Sequence, residues 1–157
     1  MYYITKQGYE NLYEQLSTID QEIAETNKRM GESVRLDNDL RENPEFMELR
    51  AKSMYELPRK KEVVWNKYQE ALIIEETEEY KKFDQSKVII GSTVFIDFDG
   101  ESCKYTILGT DEGNLDADIL SCEAPIAKIL IGKQVGETVT FNGMVIKIKE
   151  ILKYKPN

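Results

Sequence analysis

Tyr9, Leu12, Leu16, Ile19, Ile23, Thr26 and Met30 recur at intervals alternating between three and four residues. No other feature of the chain constrains its fold as strongly. An α-helix turns once every 3.6 residues, so these side chains share one stripe, and a stripe of that spacing is a coiled-coil seam that needs a second helix to cover it. Only Thr26 departs from apolar character. Thr5 stands where an N-cap belongs, its hydroxyl able to accept one of the unpaired N–H groups of the first turn, and Gly8 is a mild blemish just beyond it.

The periodicity fails in GESVRLDNDLREN and resumes after Asn43-Pro44. An amide side chain that can cap, followed by proline at the first helical position, is a strong start signal and predicts a second helix from near Pro44. Met47, Met54, Leu57, Val64, Tyr68 and Ala71 form its approximate seam, interrupted by polar Arg50 and Lys61, with Trp65 and the methionines read as packing residues. Two stripes joined by a short connection are expected to bury each other as an antiparallel hairpin. Its arms, about 30 helical residues at roughly 1.5 Å each, would span about 45 Å. Pro58 lies inside the second arm, where it removes a backbone hydrogen bond at a cost of about 3 kcal/mol, so a kink or a restart is expected there.

EETEEYKK, residues 75–82, reads as a charged helix end, and the chain changes character beyond it. VFIDF and KYTIL are β-rich runs joined by the turn signal DGES, APIAKILIG reads as a short helix opened by Pro125, and ETVTF with NGMVIKIKEIL reads as a closing hairpin. The expected architecture is α+β: a helical hairpin over residues 1–80 with its tip near 36–43, then a small, mostly antiparallel sheet domain with one short helix over 81–157.

The net charge is −8, and both the part through Phe83 and the part after it are acidic. Binding to phosphate backbones draws on cationic surface, so a protein partner or a cation fits better than general nucleic-acid binding. The chain has no histidine, which excludes histidine-dependent triads and removes the commonest zinc ligand. Cys103 and Cys122 have no CxxC spacing, and there is neither a leader-like N-terminus nor a membrane-spanning run. These features point to a cytoplasmic protein with reduced thiols.

Asp37, Asp39, Glu42 and Glu45 fall within nine positions on the connection between the helices. Hard cations such as magnesium take carboxylate and water oxygens, so this cluster suits partial ligation; a solvated acidic loop has the same composition. Arg50, Lys52, Arg59, Lys60 and Lys61 form the one local basic concentration, either a contact surface or a solvated face balancing Glu45, Glu48, Glu56 and Glu62.

The string DLRENPEF, residues 39–46, is similar to the hairpin-tip signature of the Gre transcript-cleavage factors, approximately Gly-Asp-Leu-x-Glu-Asn-Ala-Glu-Tyr. ITKQGYENLYEQL resembles the start of that family's first helix. GSTV, YTILG and APIAKILIGKQVGETV resemble segments of its C-terminal domain, in the family's order. The resemblance implies an N-terminal antiparallel coiled coil and an FKBP-like C-terminal domain. It also implies a factor with no cofactor of its own that enters the secondary channel of bacterial RNA polymerase and stimulates cleavage of backtracked RNA; a monomer is expected because the hairpin seam can bury itself internally. By matched position the two functional carboxylates are Asp39, a ligand to magnesium shared with the polymerase, and Glu42, which orders water or metal. The basic residues are implied contacts for nascent RNA or polymerase, and Pro125 and Ile126 lie in the implied docking region. Asn38 stands where the family usually has glycine and is expected to tolerate a left-handed turn, Pro44 replaces alanine, and Pro58-Arg59 replaces a glycine-arginine pair. Some relatives enter the channel and inhibit instead, which leaves a non-cleaving regulator open, as well as a generic coiled-coil adapter. Proline isomerisation needs an aromatic-lined pocket, and Phe95, Phe98, Tyr105 and Phe141 are few and expected mostly in the sheet core.

Overall fold

Helix α1 runs unbroken from Lys6 to Leu36 in the computed structural model, which describes residues 1–157. Leu12, Leu16, Ile19 and Thr26 are buried along it, as the seam requires, and Ser33 extends the same spacing one step further. The covering arm consists of α2 (Pro44–Ala51), a π-helical turn (Lys52–Glu56) and α3 (Leu57–Glu70). The pairs between the arms run in opposite directions along the chain. Ser33 meets Asn43, Arg29 meets Glu45 at 3.4 Å, Glu22 meets Lys52 at 2.8 Å, Asp20 meets Lys61 at 2.5 Å, and the rings of Tyr13 and Tyr68 lie 6.3 Å apart. The hairpin is therefore antiparallel.

The helix does not restart at Pro58. The Leu57 N–H bonds to the Lys52 carbonyl five residues back, so the turn before the proline is widened and the helix continues through it. The extra residue in that turn also corrects the expected seam. Counting back from Leu57 in a regular helix gives Met54, Arg50 and Met47, yet Met54 and Met47 are 52% and 56% exposed and Arg50 is exposed. The residues that face α1 are Leu49, Ser53, Leu57, Lys61, Val64 and Tyr68, and the run of four-residue steps through the π turn is the spacing a wider turn requires. Trp65 is likewise no core residue: it is 44% exposed and stacks on Tyr68 with centroids 5.9 Å apart.

Ala71, expected on the seam, belongs instead to β2 (Ala71–Ile73), which pairs in parallel with β1 (Tyr2–Ile4). The chain divides into Glu10–Glu70 and a second unit made of Met1–Tyr9 with Ala71–Asn157, so the boundary expected near residue 80 falls inside the second unit. The acidic run 75–79 is not a helix end. It forms a 3-10 turn (Ile74–Glu76) and the short α4 (Glu78–Lys81), which Thr77 caps.

The second unit is built on a five-stranded sheet of β3 (Ser92–Phe98), β4 (Glu101–Leu108), β5 (Ile119–Ser121), β6 (Thr138–Phe141) and β7 (Met144–Lys153), in the order β5-β4-β3-β7-β6. Only the β4–β5 pair is parallel. Both tight hairpins turn through two residues of positive φ, Asp99-Gly100 and Asn142-Gly143, whose twist matches that of the strands they join. Helix α5 (Pro125–Leu130) begins with Pro125 at its first turn. Val94, Ile96, Ile107, Leu130, Ile146, Ile148 and Ile151 are the centre of the core, with Phe98, Tyr105 and Phe141 packed against it. A register shift beside Phe95 and Ile96 lets Ile148 and Ile151, three residues apart on β7, both face inward.

Candidate functional site

Six residues separate Leu36, where α1 stops, from Asn43, which starts α2. Their backbone is closed by local bonds. The Asp37 N–H reaches the Ser33 carbonyl at 2.9 Å, and the Asp39 carbonyl accepts both Glu42 N–H at 3.1 Å and Asn43 N–H at 3.0 Å. Two aspartates fold back on their own chain: Asp37 Oδ1 accepts Asp39 N–H, and Asp39 Oδ1 accepts Arg41 N–H, each at 3.1 Å. These are the turns that aspartate forms readily because its acceptor sits two residues from a donor. The left-handed conformation expected at Asn38 is absent, since the positive-φ residues other than glycine are Gln85, Asp99, Asp118 and Asn142. Aspartate turns close the tip without it.

Asn43 is the buried centre of this connection, 4% exposed. Its Oδ1 accepts the Phe46 N–H at 3.0 Å and caps α2. Its Nδ2 donates to Ser33 Oγ at 2.9 Å, to the Ser33 carbonyl at 3.3 Å and to the Asp37 carbonyl at 3.1 Å. The capping role of Asn43 was legible in the sequence. The role of Ser33 was not, although it stands three residues past Met30 and so continues the seam.

Asp39 and Glu42 are both exposed on this pinned turn, with Leu36 and Leu40 exposed beside them. Asp37 and Asp39 each use Oδ1 on a backbone N–H, and Glu45 uses Oε1 on Arg29, so each keeps its second carboxylate oxygen outside these bonds. Nowhere do three or more acidic or thiol side chains gather into a group that could hold a metal ion. A magnesium ion demands near-octahedral oxygen coordination, so oxygen donors of this kind and number fit it as contributors of one or two ligands, the remainder coming from elsewhere.

The five basic residues divide into two groups. Lys52 and Lys61 are engaged across the hairpin by Glu22 and Asp20, and the hydrogen bond from Lys52 holds the Glu22 carboxyl below the usual range. Arg50, Arg59 and Lys60 are exposed. In the other unit Pro125 is exposed, whereas Ile126 is half-buried against the sheet core. Cys103 and Cys122 are free thiols, and burial raises the pKa of Cys122. No helix is long and apolar enough to cross a membrane.

Residues 84–153 match the family model for the C-terminal domain of the transcription elongation factors GreA and GreB. Transcription elongation factor GreA of Nautilia profundicola is 33% identical over 141 residues, covering 88% of this chain and 84% of the relative. GreA of Thermodesulfovibrio yellowstonii is 35% identical over 140 residues, covering 87% and 85%. Among solved structures, GreA factor homolog 1 of Thermus thermophilus matches 96% of this chain and 97% of its own at 21% identity, with a TM-score of 0.41.

Proposed function

The chain belongs to the GreA/GreB family of transcription elongation factors, and from that premise we propose that its hairpin enters the secondary channel of bacterial RNA polymerase and stimulates the polymerase's own cleavage of backtracked RNA. The observation that carries this reading is the tip: two exposed carboxylates, Asp39 and Glu42, stand on a turn whose backbone is pinned at both helix ends. Asp39 offers one free carboxylate oxygen as a ligand toward a magnesium ion shared with the polymerase, and Glu42 orients water or completes the ligation. When bound, that ion supplies charge neutralisation at the scissile phosphate and an acidified water. The factor is not a catalyst by itself, because two carboxylates leave most of a magnesium shell unfilled. It acts as a monomer whose partners are the polymerase and the nascent RNA within the elongation complex.

Exposed Arg50, Arg59 and Lys60 give the hairpin a cationic surface for RNA or for acidic polymerase surface. Pro125 is the exposed candidate for docking by the second unit, with Ile126 beneath it.

The test is cleavage of the RNA 3′ end in stalled, backtracked elongation complexes, comparing the protein with Asp39→Ala and Glu42→Ala at fixed magnesium. Stimulation that disappears in both variants is expected. A protein that binds and slows the polymerase without stimulating cleavage is a non-cleaving regulator, and one that does not bind at all is a coiled-coil adapter.

A further inference from the structure

We propose that Asn43 is the positioning residue of the tip: through Ser33 and the Asp37 carbonyl it fixes the turn that presents Asp39 and Glu42, and so sets how fast a docked factor acts rather than how tightly it docks. The proposal rests on the cleavage reading for its consequence in the polymerase, but not for its structural core.

The geometry makes Asn43 unusual among the polar residues of the hairpin. It is a neutral amide with both ends in use and almost no exposure. The acceptor end starts α2 at Phe46, and the donor end reaches the last turn of α1 and the first residue of the loop. One side chain therefore ties three segments that no other side chain joins, and its own N–H closes the turn onto the Asp39 carbonyl. Without this donor the Asp37 carbonyl is stranded at a partly buried site, while the Ser33 carbonyl keeps the Asp37 N–H, so the start of the loop must reopen to water to satisfy Asp37.

Asp39 and Glu42 themselves have no buried support, and their exposed side chains take their placement from the backbone beneath them. A catalytic group displaced by about 1 Å loses about a hundredfold in rate. Docking draws instead on the length of the hairpin and its surface charges, which the loop does not alter.

Asn43→Asp keeps the cap on Phe46 but removes the donor, and Asn43→Ser keeps a capping hydroxyl too short to bridge to Asp37. One variant adds a negative charge and the other does not, so a shared effect belongs to the lost donor. Two readouts are taken on the full chain: backbone 15N order parameters of Asp39, Arg41 and Glu42 in the free protein, and factor titrations in the backtracked-complex assay. Wild-type order parameters near 0.85 should fall below about 0.6 in both variants. Half-saturation should move less than about twofold while maximal stimulation falls at least tenfold, a change of about 1.4 kcal/mol in the barrier.

Variants whose tip stays ordered overturn the proposal, as does a loss of stimulation explained wholly by weaker half-saturation. If wild-type protein stimulates no cleavage, the functional reading fails, and the order parameters alone then decide whether Asn43 holds the tip.

Discussion

Glu112 holds Thr5 at the start of the long helix. One carboxylate oxygen accepts both the Thr5 N–H and the Gly109 N–H at 2.9 Å, and the other accepts the Thr5 hydroxyl, whose oxygen in turn accepts the Gly8 N–H at 3.0 Å. Glu75 adds a second carboxylate at the Lys6 N–H, also at 2.9 Å. Unpaired donors at a helix N-terminus carry partial positive charge, so two acids there satisfy both the hydrogen bonds and the dipole. Glu112→Ala strands three donors and should cost about 2 kcal/mol in denaturant unfolding followed through the sheet signal. An unchanged midpoint would show that water replaces the carboxylate without loss.

Gly8 is less of a blemish than a requirement. A Cβ there would lie 2.5 Å from Glu112 Oε1 and 2.6 Å from Ile4 Cγ1, and Ile4 is buried. Helix propensity alone favours Gly8→Ala by about 1 kcal/mol. The clash should reverse the sign, leaving the variant destabilised by about 1–2 kcal/mol in thermal unfolding.

Four tyrosines titrate late. Tyr2 is pushed up to about 12, by burial first and then by Asp111, and burial also raises Tyr80, Tyr105 and Tyr154. A folded pKa above the unfolded one means that the neutral phenol is favoured in the folded state. That contribution is complete below the unfolded value of about 10 and is lost as pH climbs through the folded values. Stability should therefore fall between about pH 10 and 12. Tyrosinate absorbance should show a late phase coinciding with loss of sheet circular dichroism; a single early phase for all nine tyrosines would contradict this.

The two groups of basic residues should separate in polymerase binding. Replacing Arg50, Arg59 and Lys60 together by alanine should weaken binding several-fold, more at low salt than at high, because exposed charges act through a screened field. Replacing Lys52 and Lys61 should change binding little, since each already faces an acid across the hairpin. The reverse order of effects would place the contact on the seam side of the arm.

Pro58→Ala should leave the π turn in place. Leu49, Ser53, Leu57 and Lys61 face α1 in four-residue steps, so packing asks for the wider turn independently of the missing N–H. The Cα chemical shifts and amide contacts of 52–57 should remain π-like; conversion to a regular helix would show that proline alone imposes the turn.

Much of this could be read from the chain. The alternating spacing of Leu12, Leu16 and Ile19, the Asn43-Pro44 start, and the Asp-Gly and Asn-Gly turns are local signals, and each acts where it is written. The placement of Asp39 and Glu42 on the connection between the helices followed from the same signals. Met47 and Met54 were misplaced because one extra residue in a turn displaces every position upstream of it, while periodicity assumes a constant pitch. The three-residue parallel pair of β1 with β2 carries no local signature at all, being specified by partners about seventy residues apart. Glu112 was invisible for the same reason: the Thr5 donors it holds are 107 positions away.

The pairing of β1 with β2 also orders events in time. Residues 10–70 interrupt a unit whose first nine residues are made first and whose remainder begins at Ala71. On a translating ribosome the hairpin has all of its own pairs available as soon as α3 emerges, whereas Tyr2–Ile4 must wait for Ala71–Ile73 and Thr5 for Glu112. The arm is thus a graft free to close before its stock is complete, with its tip residues all present while the base of its longest helix still awaits Glu112.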